Sequence, residues 1–438
     1  MKYFLIGSFF AVLGLTQCQN GSRQQNTPSR PPAQTVVPAM RSIRDVTLAV
    51  AKNQVRELND GRFRTGSLRD AEGHVPPKGI MWEYTWGVTL YGLLRVSEAT
   101  HDRLYADYVL KRNVLTARYF SYLQWMKETY PDAYRKQQDW KVTKNPLFEL
   151  TVLDRLDFCG AMGAEMLEGF LKHGAKPTAE EEQLVGTIAN YINHRQPRMP
   201  DGTFWRPVFT NPYIQQANPA LDRTLWIDDL YMACPFLVRW AQYSGDSTCL
   251  DDAANQVIRM AERQQDGDGL WFHGNFIGEN KRSAYKWGRG NGWAMVATVE
   301  VLSVLPENHP KRPRLLKILS RHVDGIKTCQ AASGLWHQVL DHPELWEETS
   351  CSAMFSYAIA RAVRRGWIGA SFLTVARLAF EGVSRNVTAE GLVNGTCEGT
   401  EIGRDLEYYA NRGRPVDDRH GQGAVLLAGA ELIEIESP

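Results

Sequence analysis

The chain has 438 residues, of which 43% are hydrophobic and 23% are charged, a balance typical of a soluble globular protein with a large core. Fifty Lys and Arg residues stand against 49 Asp and Glu residues, so the formal net charge is +1. This balance excludes a broad basic surface for nucleic acid, and the composition excludes a disordered or collagen-like chain. The seven cysteines include no CxxC pair, so neither a zinc knuckle nor a thioredoxin-type motif is expected.

The first segment has the pattern of a bacterial secretory signal. Lys2 precedes an apolar run at residues 3–15, which is too short to span a bilayer as a mature helix. Leu15-Thr16-Gln17-Cys18 resembles a lipoprotein cleavage box and makes Cys18 the expected lipidation site, with plain secretion as the alternative. The expected organisation is a lipoprotein-type signal peptide at 1–18, a flexible polar linker at 19–39 and a single folded domain at 40–438.

Beyond residue 40, apolar residues recur mostly at helical spacing, as in Leu315, Leu316, Ile318, Leu319 and Val323. We find no convincing β-sheet run. Segments bounded by Gly, Pro or Asx residues predict about a dozen helices. Their expected bounds are roughly 41–59, 82–98, 104–129, 152–172, 178–194, 225–243, 246–264, 290–304, 310–328, 349–364, 368–385 and 420–435.

A short turn motif returns between pairs of helices. Its four copies are Asp201-Gly202-Thr203-Phe204-Trp205, Asp268-Gly269-Leu270-Trp271, Ser333-Gly334-Leu335-Trp336 and Glu390-Gly391-Leu392-Val393. Their glycines are about 60 residues apart, which indicates repeated helical hairpins. Six such hairpins would close into a toroid, so the sequence predicts an all-α (α/α)6 barrel, with an open solenoid as the alternative.

Polar residues cluster at the starts of alternate helices. The segments are Trp82-Glu83-Tyr84-Thr85-Trp86-Gly87, Leu156-Asp157-Phe158-Cys159-Gly160, Trp226-Ile227-Asp228-Asp229-Leu230-Tyr231-Met232, Trp287-Gly288-Arg289-Gly290-Asn291-Gly292-Trp293, Glu348-Thr349-Ser350-Cys351-Ser352 and Arg419-His420-Gly421-Gln422-Gly423. In a ring of inner helices these ends would meet at one mouth, where free N–H groups attract an anion such as a uronate.

Two sites offer carboxylates for acid–base chemistry. Asp228 and Asp229 lie among apolar and aromatic residues, where burial raises a carboxyl pKa toward the range of a general acid. The alternative is that they cap the following helix. Asp157 presents the same choice, and together these carboxylates could be the pair that sugar hydrolysis requires.

Further candidates for ligand contact lie in the segments around residues 273 and 287–293. Arg289 lies between two glycines, which favours a guanidinium presented at a rim to bind a carboxylate. Trp287 and Trp293 either stack on sugar or fill the core, and His273 is either a ligand contact or a packing residue. Histidines and carboxylates show no i, i+4 pattern, so no metal is expected.

These motifs, in this order, resemble glycoside hydrolase family 105, which is related to family 88. The resemblance also includes Gly334-Leu335-Trp336-His337-Gln338-Val339-Leu340-Asp341 and Tyr408-Tyr409 before His420-Gly421, and it covers the chain from about residue 40. It implies an (α/α)6 barrel with Asp228 as general acid and base and Asp157 as its partner. The positions that it implies for sugar binding are Tyr84, with Trp86 as the alternative, Met232, His273, Trp287, Arg289 and Trp293.

Two departures from the family pattern are visible. Asp229 occupies a place where the family typically has Gly, and a histidine often found upstream of the catalytic aspartate has no clear counterpart in Gln215-Gln216-Ala217-Asn218. The role of Asp229 and the subsite beyond the uronate are therefore open.

The resemblance implies removal of a 4,5-unsaturated uronic acid from lyase-generated oligosaccharides by hydration of the C4=C5 bond. The sequence leaves open whether the source is rhamnogalacturonan, ulvan or a glycosaminoglycan. No metal or organic cofactor, no nucleic acid and no obligatory protein partner is expected. Membrane attachment would come only through the lipid on Cys18, in the periplasm or at the outer membrane. The rival hypotheses are an inverting glycosidase acting on saturated glycosides and a non-catalytic glycan-binding lipoprotein.

Overall fold

The computed structural model describes residues 41–61, 63, 66–73, 75–137, 147–206 and 223–437. The predicted signal peptide with Cys18, the linker at 19–39 and the segment Gln215-Gln216-Ala217-Asn218 lie outside the described residues. Within the described ranges, no helix is both long and apolar enough to cross a membrane.

Helices dominate the described chain. In order they are α1 (Ile43–Gln54), α2 (Leu68–Glu72), α3 (Tyr84–Thr100), α4 (Arg103–Thr129), α5 (Pro131–Gln137), α6 (Phe148–Val152), α7 (Gly160–Lys172), α8 (Ala179–Asn190), α9 (Asp229–Ser244), α10 (Thr248–Gln264), α11 (Gly288–Val304), α12 (Arg312–Thr328), α13 (Thr349–Arg364), α14 (Leu373–Arg385), α15 (Leu406–Ala410) and α16 (Arg419–Glu436).

Six inner helices form a closed ring. Helix α3 contacts α7, and the contacts continue through α9, α11, α13 and α16 back to α3. An outer helix packs against each inner one: α4, α8, α10, α12 and α14 follow their inner partners in the chain, while α1 packs on α16. The first and last long helices thus complete the sixth hairpin, which confirms the predicted (α/α)6 barrel.

The two layers differ in how their side chains are buried. Outer helix α10 buries one face, with Cys249, Ala253, Val257 and Met260 at helical spacing. Inner helix α11 is buried nearly all round, as expected for a helix enclosed by neighbours on every side. The core therefore lies between the layers and along the barrel axis.

The recurring glycines support the turns as predicted. Gly202, Gly269, Gly334 and Gly391 all have φ between 87° and 89°, a left-handed conformation that glycine adopts without a steric penalty. A Cβ on Gly269 would lie 2.0 Å from the carbonyl oxygen of Arg321, so this turn also docks closely on α12.

Glycine also brings two inner helices together next to the candidate carboxylates. A Cβ on Gly160, the first residue of α7, would lie 1.6 Å from the carbonyl oxygen of Met232 in α9. No side chain fits there. Because Asp157 lies three residues before Gly160 and Asp228 four residues before Met232, this contact brings the segments that carry the two aspartates close together.

The expectation of no β structure is wrong in detail. Strand β1 (Thr224–Trp226) pairs with β2 (Gly274–Phe276), which pairs with β3 (Lys281–Arg282), and β4 (Trp336–His337) pairs with β5 (Glu347–Glu348); all pairs are antiparallel. Strands of two or three residues are too short to show alternation in the sequence. They lie in connections that precede inner helices, and they shape the mouth of the barrel.

Below the mouth, six charged residues of alternating sign surround the barrel axis. The members, one from each inner helix, are Arg95, Glu168, Arg239, Glu300, Arg361 and Glu431, and we call them the axial charge ring. Five of the six neighbouring pairs are linked, at 2.6 Å (Arg239–Glu168), 2.7 Å (Arg239–Glu300), 2.9 Å (Arg361–Glu300), 2.8 Å (Arg361–Glu431) and 3.6 Å (Arg95–Glu431). The ring fastens the inner helices to one another below the mouth.

Candidate active site

The predicted carboxylates meet at the N-terminal mouth of the inner ring. Asp228 stands at the N-cap position of α9, and Asp157 lies in the 3-10 turn Leu156–Phe158 that leads into α7. The side chain of Asp228 is 10% exposed and that of Asp157 is 19% exposed, so each is sheltered but reachable from the mouth. Neither aspartate of the 228–229 pair caps α9 in the predicted way, because the Asp228 side chain makes no capping bond and that of Asp229 binds Arg206.

Asp228 faces a fully buried histidine. Its Oδ2 lies 3.3 Å from Nε2 of His273, and among the described residues neither atom has a hydrogen-bond partner. On the other side of the ring, Nδ1 of His273 is 2.7 Å from the hydroxyl oxygen of Tyr409. His273 therefore lies between Tyr409 and Asp228.

Tyr409 is held in place by further hydrogen bonds. The Tyr409 oxygen accepts the N–H of Gly403 at 2.9 Å, and a hydrogen bond from Ser283 tends to lower the pKa that burial raises. The Tyr409 hydroxyl and Nδ1 of His273 share a hydrogen bond in which either atom can be the donor. On the opposite side of the His273 ring, Nε2 lies 3.3 Å from Oδ2 of Asp228.

Arg206 ties the other two aspartates together. Its Nη1 and Nη2 donate to the two carboxylate oxygens of Asp157 at 2.7 and 2.9 Å. Its Nε and Nη2 also donate to Oδ1 of Asp229 at 3.0 and 2.8 Å. Burial raises the pKa of Asp229 to about 6, although Arg206 opposes the shift. The raised carboxyl pKa expected for the 228–229 pair is thus found at Asp229.

A second hydrogen-bonded chain ends at Tyr84. Nδ1 of His420 lies 2.5 Å from Oδ1 of Asp418, and Nε2 of His420 lies 2.6 Å from the hydroxyl of Tyr84. Burial and the charge of Arg289 lower the pKa of His420, so the ring is neutral at pH 7. Since a carboxylate only accepts, Nδ1–H donates to Asp418 and Tyr84 donates to Nε2. The lone pairs of the Tyr84 oxygen remain available to a sugar hydroxyl.

Arg289 is not at a rim, contrary to the sequence-based expectation. It is 1% exposed, and its terminal nitrogens donate to the carbonyl oxygens of Cys397 and Glu398 at 2.5 and 2.7 Å. The carboxylate of Glu348, which caps α13, accepts the N–H of Cys397 at 2.8 Å. Arg289 and Glu348 therefore clamp the connection that carries Tyr409. The charge of Arg289 still reaches the mouth, where it opposes the rise in the pKa of Tyr84 that burial causes.

The other predicted contacts, apart from Tyr84, are buried. Trp287 and Trp293 are 1% and 2% exposed. The Trp287 ring is tilted against that of His273 with centroids 4.4 Å apart, and the Trp293 ring makes a T-shaped contact with that of Tyr84 at 6.2 Å. Met232 is 1% exposed and packs in the core. Trp86 is also buried, and the guanidinium of Arg112 on outer helix α4 lies 5.9 Å from its ring. Trp86 therefore belongs to the barrel wall, and of these two candidates Tyr84 is the one at the mouth.

Four contributors were not among the predicted site residues. Arg206 follows the turn motif at Trp205 directly, but its position depends on a β-bridge to Thr224 that no helical periodicity reveals. Tyr409 and Glu348 stand inside quoted motifs without an assigned role. Asp418 precedes His420 by two residues, which is a recognisable N-cap pattern because its side chain accepts the N–H of His420.

Comparisons with known proteins agree with this architecture. The model of glycosyl hydrolase family 88 matches residues 66–435. Protein Atu3128 of Agrobacterium fabrum is 31% identical over 236 residues, which are 46% of this chain and 98% of that protein. The unsaturated rhamnogalacturonyl hydrolase YesR of Bacillus subtilis is 24% identical over 358 residues, covering 81% of this chain and 90% of that protein.

A solved structure supports the fold. The crystal structure of a possible member of family GH105 from Klebsiella pneumoniae superposes with a TM-score of 0.68 at 22% identity, covering 93% of this chain and 96% of that chain. The match to the family 88 model confirms the family resemblance read from the motifs.

Proposed function

The chain belongs to glycosyl hydrolase family 88 and is a glycosidase, and on this basis we propose that it removes a 4,5-unsaturated uronic acid from the non-reducing end of lyase-generated oligosaccharides. The observation that carries the proposal is the pairing of Asp228, sheltered and in contact with His273, with Asp157, held by Arg206 at the same mouth. The name of the YesR relative, an unsaturated rhamnogalacturonyl hydrolase, supports the same substrate class.

The unsaturated uronate has a double bond that suits acid catalysis. C4=C5 is an enol ether, because the ring oxygen is attached to C5, and its lone pair makes C4 the basic carbon. Protonated Asp228 would give its proton to C4, leaving positive charge shared by C5 and the ring oxygen. Water then bonds to C5 and loses a proton to the Asp228 carboxylate, which restores the acid.

The hydrated product breaks down without further help from the protein. The new hydroxyl on C5 makes a hemiketal, whose C5–O bond to the ring oxygen breaks to give a ketone. The former ring oxygen becomes a hydroxyl on C1, so that C1 now carries a hemiacetal that releases the neighbouring sugar. One water molecule is consumed, and neither oxidant nor reductant is needed.

The surrounding groups have distinct roles in this proposal. Asp157, held by Arg206, would accept hydrogen bonds from ring hydroxyls, as would the Tyr84 oxygen. His273 would stabilise Asp228 as a carboxylate while water attacks. The uronate carboxylate would be attracted by the free N–H groups at the inner-helix ends and by the buried charge of Arg289, without a direct guanidinium contact.

The proposal predicts loss of ultraviolet absorbance from unsaturated disaccharides. Purified protein should be assayed on lyase-generated disaccharides from rhamnogalacturonan, ulvan and a glycosaminoglycan, each beside its saturated counterpart. We expect the absorbance of the conjugated uronate to fall in at least one class and every saturated counterpart to remain intact. Hydrolysis of saturated disaccharides would favour an inverting glycosidase, and binding without turnover would favour a glycan-binding protein.

We also propose that Cys18 is lipidated and anchors the protein to a membrane of the cell envelope. The support is the sequence pattern of residues 1–18 alone. Expressed in a Gram-negative host, the wild type should fractionate with membranes and Cys18→Ser with the soluble periplasmic fraction. Equal fractionation of the two would contradict lipid anchoring.

A further inference from the structure

An arginine bridge beside Asp228 includes Asp229, a residue that has no role in the proposed chemistry so far. Arg206 is 8% exposed and Asp229 is 1% exposed. The single guanidinium holds two carboxylates at once, those of Asp157 and Asp229. Burying an arginine with two aspartates is costly unless all three are well bonded. Such an arrangement next to a candidate acid therefore calls for a functional explanation.

The fold holds Arg206 rigidly in this position. Its backbone N–H donates to the carbonyl of Thr224 at 2.7 Å, and its carbonyl accepts the N–H of Thr224 at 3.0 Å. Its guanidinium lies 4.1 Å from the ring centroid of Trp226, whose own Nε1–H donates to Thr224. Backbone and side chain are thus both fixed on β1, the strand that leads into Asp228.

We propose that Arg206 and Asp229 are a positioning pair for the catalytic aspartates. Arg206 fixes the carboxylate of Asp157 in the direction of the sugar. Asp229 balances the charge of Arg206 and keeps the net charge beside Asp228 negative, so that its removal would shift the pH dependence of turnover. The proposal rests on the proposed function, because it assigns Asp228 as the acid.

The sign of the effect follows from the charges that face Asp228. The ionisable groups around it come from several elements: Asp229 on α9, Arg206, Asp157, His273, Tyr84 on α3 and Tyr409 on α15. With Asp229 ionised, Asp229, Asp157 and Arg206 carry a net charge of about −1. Replacing Asp229 by Asn removes one negative charge, so Asp228 should lose its proton at lower pH.

Two substitutions separate the two roles. Asp229→Asn should shift the alkaline limb of the pH profile of kcat to lower pH by about half to one unit. The value of kcat at the pH optimum should stay within about tenfold of wild type. Arg206→Lys keeps the positive charge but cannot bridge two carboxylates, so kcat should fall about 10- to 100-fold with the alkaline limb in place.

A nearby pair supplies the matched control. Arg198 binds both oxygens of Asp252 at 3.1 and 2.8 Å and stacks 4.3 Å from the ring centroid of Phe204, but it does not contact the aspartates of the mouth. Arg198→Lys should change neither kcat nor the pH profile. If Asp229→Asn and Arg206→Lys lower kcat in parallel without any shift of the limb, the pair is merely structural and the proposal is wrong.

A measurement without substrate keeps the proposal separate from the proposed function. Carboxyl ¹³C NMR of the resting protein can follow Asp228, assigned by the signal that disappears in Asp228→Asn. Its titration midpoint should be lower in Asp229→Asn than in wild type. An unchanged midpoint would overturn the proposal even if the enzyme is active. A lowered midpoint in a protein that turns over no unsaturated disaccharide would uphold the pair and refute the proposed function.

Discussion

Asp228→Asn should lower kcat about 10²- to 10⁴-fold, because the amide cannot deliver a proton to C4 or accept one from water. The substitution removes little that holds the fold together. Oδ2 of Asp228 has no hydrogen-bond partner among the described residues, and the amide has nearly the same shape as the carboxylate. We therefore expect KM and the thermal midpoint to stay near their wild-type values. Steady-state kinetics on an unsaturated disaccharide, together with a melting curve, check both expectations.

Asp229→Asn is the control for this prediction, since it makes the same chemical change at the next residue. It should lower kcat far less at the pH optimum. Comparable losses from the two substitutions would mean that the catalytic aspartate has been wrongly assigned.

Glu300→Gln should lower the free energy of unfolding by about 3–5 kcal/mol, because it leaves buried arginines without their counter-charge. Glu300 is 2% exposed and accepts hydrogen bonds from Arg239 at 2.7 Å and Arg361 at 2.9 Å. The hydroxyl of Tyr357 donates to the same carboxylate at 2.5 Å. An amide is neutral and turns N–H donors toward the guanidinium groups. Denaturant unfolding of both proteins measures the difference.

The same substitution should change how stability depends on pH. Burial favours the neutral acid, but Arg239 and Arg361 outweigh it and lower the pKa of Glu300 to about 2. Because the folded-state pKa is lowered, the ionised Glu300 stabilises the protein at pH values above the unfolded pKa near 4.5. This stabilisation is lost as the pH falls toward 2. The Glu300→Gln variant should lack this part of the acid sensitivity.

Glu262 provides a surface control for the axial charge ring. Its ion pair with Arg314 is about half exposed on both sides, at 47% and 56%. Glu262→Gln should therefore change the free energy of unfolding by less than about 1 kcal/mol. Similar losses from Glu262→Gln and Glu300→Gln would contradict the role given to the ring.

The helical architecture could be predicted because its signals are local. The expected helix at 349–364 has the bounds observed for α13, and the glycines of the predicted turns all have positive φ. The axial charge ring was not predicted. Its members are 61 to 71 residues apart along the chain from Glu168 to Glu431, and each pairing becomes visible only when the barrel closes.

The position of a site residue could be predicted where the residue lies at the start of an inner helix. It could not be predicted where the position depends on a connection between helices that packs against the site. Asp228, Asp157 and Tyr84 stand beside inner-helix starts, so the repeat alone brings them to one mouth. Arg289 also lies at an inner-helix start, but it is buried because its guanidinium donates to the carbonyl groups of residues 397–398. Arg206 depends likewise on backbone pairing with Thr224, a contact that leaves no periodic trace in the sequence.

The position of isotopic labels in the product tests the central claim most directly. Turnover in deuterated water should place one deuteron on C4, and turnover in heavy-oxygen water should place the label at C5. Product formed in ordinary water and then moved to labelled water corrects for exchange at the ketone. Attack at the anomeric carbon would instead put heavy oxygen on C1 and leave C4 without deuterium, and that result would contradict hydration of the double bond.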